Sequence, residues 1–162
     1  MQEYPYVTAV TAIIEKDGRF LITRRVATKK KWPGRWTVPG GKLEPSDYVD
    51  LPKDSEKTWY NVIERVLRRE VKEEVGLAIT DIEYLTSIVA DYAPAMTPVL
   101  ILSFLSRCAG GDLKLQENEV DDAKWVTAEE SKQYDLIGGI YEELVMAEDF
   151  RKGIYREWNK TI

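Results

Sequence analysis

The chain has 162 residues, 44% hydrophobic and 31% charged, which is the balance of one ordinary globular domain. Acidic residues outnumber basic ones by 28 to 23, and the resulting net charge of −5 argues against a long nucleic acid as partner. No apolar run approaches the roughly 20 residues of a membrane span. The first residues, Met1 to Pro5, lack the pattern of a signal peptide. We therefore expect a cytoplasmic protein that does not bind membranes.

Histidine is absent, and Cys108 is the single cysteine. These counts exclude a Ser-His-Asp triad, a Cys-His pair, a histidine-ligated zinc site and an internal disulfide. A metal ion in this protein must be held by oxygen ligands, which favour Mg²⁺ or Mn²⁺.

The first quarter of the chain predicts a β-hairpin followed by a loop. Residues 7–14 are rich in β-branched side chains, residues 19–25 alternate in polarity, and Asp17-Gly18 lies in the turn between them. The segment 26–47 is rich in glycine and proline and predicts a loop with one short strand at 35–38. A polar connector follows at 48–54.

A long helix is predicted from about Ser55 to Val75, because Gly76 suits the position after a helix end. The later elements lack βαβ regularity, which indicates an α+β or layered α/β/α fold. They are strands at 82–92, 98–107 and 123–126, a loop at 93–97, and helices at 128–133 and 137–150. We expect one domain over residues 1–150 and a C-terminal tail over 151–162.

Three glutamates share one arc of the predicted helix. At about 100° per residue, Glu70, Glu73 and Glu74 fall on the side that holds Val62 and Leu67, within an inward-facing stripe. A charged helix with a solvated face is one interpretation. The other is a metal site, because like charges on a buried arc repel unless cations lie between them.

The segments G-G-K-L-E at 40–44 and R-E-V-K-E-E-V-G-L at 69–77 resemble the signature of the Nudix hydrolase family, G-x5-E-x7-R-E-U-x-E-E-x-G-U, where U is a bulky aliphatic residue. The second half matches at every fixed position, and the first half matches through Gly41. The stretch from Trp32 to Gly41 is similar to a segment that commonly precedes this signature in the family. The resemblance extends over residues 6–148 and implies an α/β/α sandwich with a central mixed sheet.

Two departures from the signature affect the segment before the helix. The gap between Gly41 and Arg69 is much longer than the pattern allows, and the extra residues lie around 47–57. The position eight before Arg69 is normally glutamate but is Asn61 here, and neither Glu56 nor Glu64 has the right spacing.

The resemblance implies that Glu70, Glu73 and Glu74 bind metal and act in catalysis, and that Arg69 orients a carboxylate. Glu119 lies where many relatives place a further acidic residue, which reaches the metal or acts as general base. Additional candidates come from the residues themselves. A backbone carbonyl at the glycine pair is a possible metal ligand. The glycine pair is Gly40 and Gly41. Arg25, at a strand end, is suited to bind a phosphate, and Trp32 and Trp36 are suited to stack on a base.

The function implied is Mg²⁺-dependent hydrolysis, with Mn²⁺ as a possible substitute, of a nucleoside diphosphate linked to another group. The substrate is then a small nucleotide, and a homodimer is possible. The alternative is a catalytically silent nucleotide-binding or sensor module of the same fold. Loss of a helix glutamate would favour that alternative, but all three are present.

Overall fold

The structure is a computed structural model that describes residues 5–90 and 97–159. Its first two strands, β1 (Val7–Lys16) and β2 (Arg19–Arg25), form the predicted antiparallel hairpin, with Glu15 opposite Phe20. The turn holds Asp17 and Gly18 at positive φ, which is the conformation that a tight hairpin turn requires. No helix in the described ranges is long and apolar enough to span a membrane.

The described part of the chain adds five strands to the hairpin and builds one mixed sheet. The main path runs β3-β2-β1-β6-β5, while β4 pairs with β1 and β7 pairs with β2. The β1–β6 pair is parallel and the other pairs are antiparallel. The added strands are β3 (Trp36–Thr37), β4 (Gly40–Lys42), β5 (Ala78–Ala90), β6 (Val99–Gly110) and β7 (Val120–Val126).

The helices are α1 (Val62–Val75), α2 (Ala128–Ser131) and α3 (Ile140–Arg151). Strand β1 shows how the sheet divides the core, because alternate residues face opposite sides. Val10 and Ile14 pack with α1 residues such as Val71, whereas Ile13 packs with α3 residues such as Leu144. The predicted α/β/α sandwich with a mixed central sheet is confirmed.

The predicted start of the long helix at Ser55 is wrong. The helix begins at Val62, after Asn61 in a left-handed conformation with φ of 53°. The preceding segment is a loop closed by its own contacts: Asp54 accepts a hydrogen bond from the Tyr60 amide, and the Trp59 indole donates to the Leu51 carbonyl. The predicted helix end is confirmed, because Gly76 has φ of 76° and its amide donates to the Lys72 carbonyl.

The remaining elements match the sequence predictions with shifted boundaries. The strand predicted at 82–92 begins earlier, at Ala78, and the strand predicted at 123–126 begins at Val120. The glycine pair at 40–41, predicted as loop, forms β4 against β1. Of the loop predicted at 93–97, residues 93–96 lie outside the described residues, as do the last two residues of the strand predicted before it.

Candidate functional site

Glu74 is a buried carboxylate that faces the backbone of β4. Its Oε2 accepts a hydrogen bond from the Gly40 amide at 2.9 Å. Burial raises the pKa of Glu74 to about 7; the Gly40 hydrogen bond opposes this rise, while the nearby charges of Glu70 and Glu119 add to it. Ionisation of this buried carboxyl group is unfavourable without a neighbouring positive charge, so a bound cation would stabilise its ionised form.

Glu70 lies one helical turn before Glu74 and packs directly on the second glycine. A Cβ atom added to Gly41 would lie 2.0 Å from Cδ of Glu70, so a larger residue at this position would displace the Glu70 carboxylate. Burial raises the pKa of Glu70, although the Arg69 guanidinium opposes the rise. The glycine pair and two of the three glutamates therefore form one continuous surface.

Arg69 holds the acidic groups around it in place. Its Nε donates to Asp47 Oδ1 at 2.8 Å, and its Nη1 lies 3.0 Å from Glu70 Oε1 and 3.1 Å from Glu73 Oε2. Burial lowers the pKa of Arg69, but its hydrogen bond to Asp47 and the charge of Glu70 outweigh that effect and raise the pKa.

Glu73 differs from the other two glutamates because its side chain is 53% exposed. The prediction that all three face inward is wrong for this residue. On the same helical wheel, the buried Val71 and Val75 lie on the far side of Leu67 from Glu73. The buried arc is therefore centred near Leu67, and Glu73 falls outside its edge. Its carboxylate instead faces solvent and pairs with Arg69.

Glu119 approaches the same edge from the loop before β7. Its charge contributes to the raised pKa of Glu74, and its carboxylate forms an ion pair with Lys29 from the β2–β3 loop. The Glu119 carbonyl also accepts a hydrogen bond from the Val26 amide at 3.1 Å, which fixes the two loops together.

A cavity of about 970 Å³ opens on the α3 side of the sheet. Arg25 and Trp32 line it, and the Arg25 charge also acts on Glu74, so Arg25 connects the cavity with the carboxylates. The Arg25 Nε donates to the Lys31 carbonyl at 3.0 Å. Trp32 is 41% exposed, and the Arg35 guanidinium lies over its ring, 5.1 Å from the centroid.

Trp36, which was predicted to stack on a base, does not line the cavity. It is only 7% exposed, packs in the core beside α3, and meets the Tyr134 ring edge-on at 4.7 Å. Because β3 directs this side chain into the core, its ring is not available to a base, and the prediction that Trp36 stacks on substrate is corrected.

Comparison with known proteins identifies the family. A model of the NUDIX domain matches residues 4–146. The nucleoside triphosphatase NudI of Klebsiella pneumoniae (strain 342) is 30% identical over 138 residues, which cover 80% of this chain and 87% of that protein. The chain belongs to the Nudix family. This Nudix protein is accordingly a hydrolase that acts on phosphoric anhydride bonds, and in general terms a nucleotide pyrophosphohydrolase.

Solved structures share the Nudix fold. The MutT NUDIX hydrolase from Burkholderia pseudomallei has a TM-score of 0.69 at 21% identity, over 88% of this chain and 98% of that chain. The NUDIX domain of Shewanella oneidensis NrtR, complexed with ADP ribose, has a TM-score of 0.63 at 18% identity, over 92% and 88%.

The family signature also identifies a residue that the sequence analysis missed. Asp47 is the sixth residue after Gly41, which is where G-x5-E places its glutamate, so an aspartate occupies that position and the extra residues follow it. Its side chain is 6% exposed and pairs with Arg69. The spacing from Gly41, and not the spacing from Arg69, is the sequence signal that identifies Asp47.

Nudix hydrolases generally use divalent metal ions. The donors at this edge fit a hard cation, because they are carboxylate oxygens that lie directly beside the glycine strand. Within the described residues, no three acidic side chains already converge as a metal site. Arg69 draws Glu70 and Glu73 towards its guanidinium, while Glu74 faces Gly40.

Proposed function

We propose that the protein hydrolyses a diphosphate bond in a nucleoside triphosphate, or in a nucleoside diphosphate linked to another group, with Mg²⁺ or Mn²⁺ as cofactor. One observation carries the proposal: Arg25 lines a nucleotide-sized cavity and its charge also acts on the buried carboxylate of Glu74. A base in the cavity would then leave its phosphates beside the carboxylates.

Glu70, Glu73 and Glu74 would hold the metal ion, with a backbone carbonyl of Gly40 or Gly41 as a further ligand. When bound, a divalent ion supplies positive charge next to the phosphate oxygens and makes water more acidic. Glu74 keeps its position through the Gly40 amide, and Arg69 restricts the carboxylates of Glu70 and Glu73.

The remaining candidates act on substrate and water. Arg25 would bind phosphate, and Trp32 would stack on the base, since both line the cavity. Glu119 would accept a proton from the attacking water, and its ion pair with Lys29 restricts the position of the carboxylate.

The substrate class is tested with a panel of nucleoside triphosphates, ADP-ribose, UDP-sugars and dinucleoside polyphosphates. Release of phosphate or pyrophosphate is measured in Mg²⁺ and in EDTA. We expect at least one compound to be hydrolysed in Mg²⁺ and none in EDTA. Binding without any hydrolysis would instead support the silent module. Glu64→Gln, on the same helix but outside the site, is the matched control variant.

Three further predictions remain proposals. We place the protein in the cytoplasm, because that compartment holds the nucleotide pool it would act on. We retain a homodimer as a possible state, to be measured by light scattering. We also retain residues 1–150 as the domain, although Trp158 of the tail lines the cavity.

A further inference from the structure

Glu143 is a buried acidic residue that none of the roles above uses. It lies on α3, lines the cavity, and is 5% exposed. Removing a carboxylate from water costs several kcal/mol unless hydrogen bonds or charges compensate. A buried carboxylate in a cavity wall therefore needs a hydrogen-bond donor or a positive charge beside it.

Ser103 on β6 supplies one partner. Its hydroxyl donates to Glu143 Oε2 at 2.6 Å, and Ser103 itself is fully buried. Within the part of the chain that the structure describes, Oε1 accepts no hydrogen bond from any residue. Because the serine proton is committed to Oε2, the pair presents an acceptor towards the cavity.

The charge state of Glu143 supports this description. Burial raises its pKa to about 6; the Ser103 hydrogen bond opposes the rise and the charge of Glu142 adds to it. The carboxyl is therefore mainly ionised at neutral pH, and an ionised carboxylate only accepts hydrogen bonds.

The surrounding walls suit a flat aromatic ring. Ile88, Ile101 and Ile140 are apolar lining residues, and the indoles of Trp32 and Trp158 line the same cavity. An acceptor fixed in such walls can pair with one edge of a base, while apolar contacts hold the faces of the ring.

We propose that Glu143 selects the nucleobase by accepting a hydrogen bond from an exocyclic amino group, so that amino-bearing bases are preferred over their keto counterparts. This inference rests on the proposed function. A keto oxygen in the same place would face the carboxylate with no proton between them, and a site built to pair with a donor rejects the analogue that lacks it.

Matched nucleotide pairs isolate the amino group, because dCTP and dUTP carry an amino and a keto group, respectively, at the same ring position, as do dATP and dITP. We expect kcat/KM of the wild type to favour the amino member of at least one pair by on the order of tenfold or more, as hydrogen bonds to a charged group imply. In Glu143→Gln the ratio should approach one through a gain for the keto member, because an amide can also donate.

A purely structural role for Glu143 would lower both members of a pair equally and leave the ratio unchanged. Ser103→Ala tests the same contact from the other side and should reduce the ratio, since the carboxylate is no longer fixed. Glu129→Gln, an exposed glutamate at 78%, is the control variant and should retain the wild-type ratio. Thermal melting identifies any variant that does not fold.

Calorimetric binding of the monophosphates dCMP, dUMP, dAMP and dIMP without metal separates this inference from the proposed function. A preference for the amino member that Glu143→Gln abolishes supports the inference even if no triphosphate is hydrolysed. Equal binding of both members by the wild type, or an unchanged preference in Glu143→Gln, overturns it.

Discussion

Glu74 combines burial with a position among other acidic groups, so its ionisation opposes folding when no cation is bound. Its pKa in the folded protein is about 7, above the ordinary value of 4.5. The folded state therefore binds a proton more tightly than the unfolded state. Protonated Glu74 therefore contributes to the free energy of unfolding. This contribution is fully present below pH 4.5 and should be lost as the pH rises to about 7.

Glu74→Gln should remove this loss in the metal-free protein. We expect the variant to exceed the wild type in free energy of unfolding by up to about 3 kcal/mol at pH 8, and to differ little at pH 4.5. The measurement is urea denaturation in EDTA at both pH values, with Glu64→Gln as control. A variant less stable than the wild type at pH 8 would show that the Gly40 hydrogen bond outweighs the burial of charge.

Asp47 should act through Arg69. Its buried carboxylate is the group that fixes Nε of Arg69, so Asp47→Asn should loosen the guanidinium and lower kcat more than it raises KM. Because Arg69 is partly exposed, we expect a stability loss of only about 1 kcal/mol. Asp50→Asn in the same loop should change neither quantity. Equal kinetics for the two variants would contradict a positioning role for Asp47.

The start of α1 depends on one backbone conformation. Asn61 has φ of 53° and ψ of 30°, a left-handed geometry that glycine adopts freely, asparagine tolerates and other residues adopt at a cost of about 1–2 kcal/mol. Asn61→Gly should be nearly neutral and Asn61→Ala should destabilise by about 1 kcal/mol, both in thermal melts. Similar melting temperatures for the two variants would show that this conformation does not limit stability.

The inserted loop between Asp47 and Asn61 is ordered by internal contacts rather than by the site. Tyr48 packs on Trp59 with ring centroids 5.2 Å apart, and Val49 and Tyr60 remain exposed. If the loop forms a rim for substrate, shortening residues 50–58 while keeping Asp47 should raise KM for the best substrate and reduce differences among poorer ones, with metal binding retained. Unchanged kcat/KM for every substrate would mean that the loop is only a connector.

The elements that sequence predicted well are those with local signals. Alternation in 7–25 predicted the hairpin, and Gly76 predicted the end of α1, because both depend on neighbours in the chain. The helix start was missed because the insertion obscures its boundary, and the charged residues 53–57 carry no period that separates loop from helix. Burial of Glu73 was predicted from an arc that left out Val71 and Val75.

The parts of the site that could not be predicted depend on distant contacts. The direction of the Trp36 side chain is set by pairing of β3 with β2 and by packing on α3, both of which bring together segments far apart in sequence. The cavity likewise combines residues from β1, β5, β6 and α3, and no local pattern indicates that Ser103 faces Glu143.

At the scale of the whole molecule, β1 links the two halves of the proposed site. It pairs with β4 through Thr11 and Gly40, so the residue that lines the cavity stands opposite the glycine whose amide binds Glu74. The sheet thus connects the cavity directly with the carboxylates of α1. The proposed substrate, with its base in the cavity and its phosphates beside the carboxylates, would contact both through this one strand pair.

The proposed hydrolysis depends on a divalent ion that the helix carboxylates would hold. The most direct measurement is kcat for the best substrate during a Mg²⁺ titration of the wild type, Glu73→Gln, Glu74→Gln and the Glu64→Gln control. We expect no turnover in EDTA and full recovery on adding Mg²⁺. Both site variants should lose on the order of 10²-fold or more in kcat, and the control should behave as the wild type. Wild-type turnover in chelator, or unchanged kcat in both site variants, would contradict this proposal.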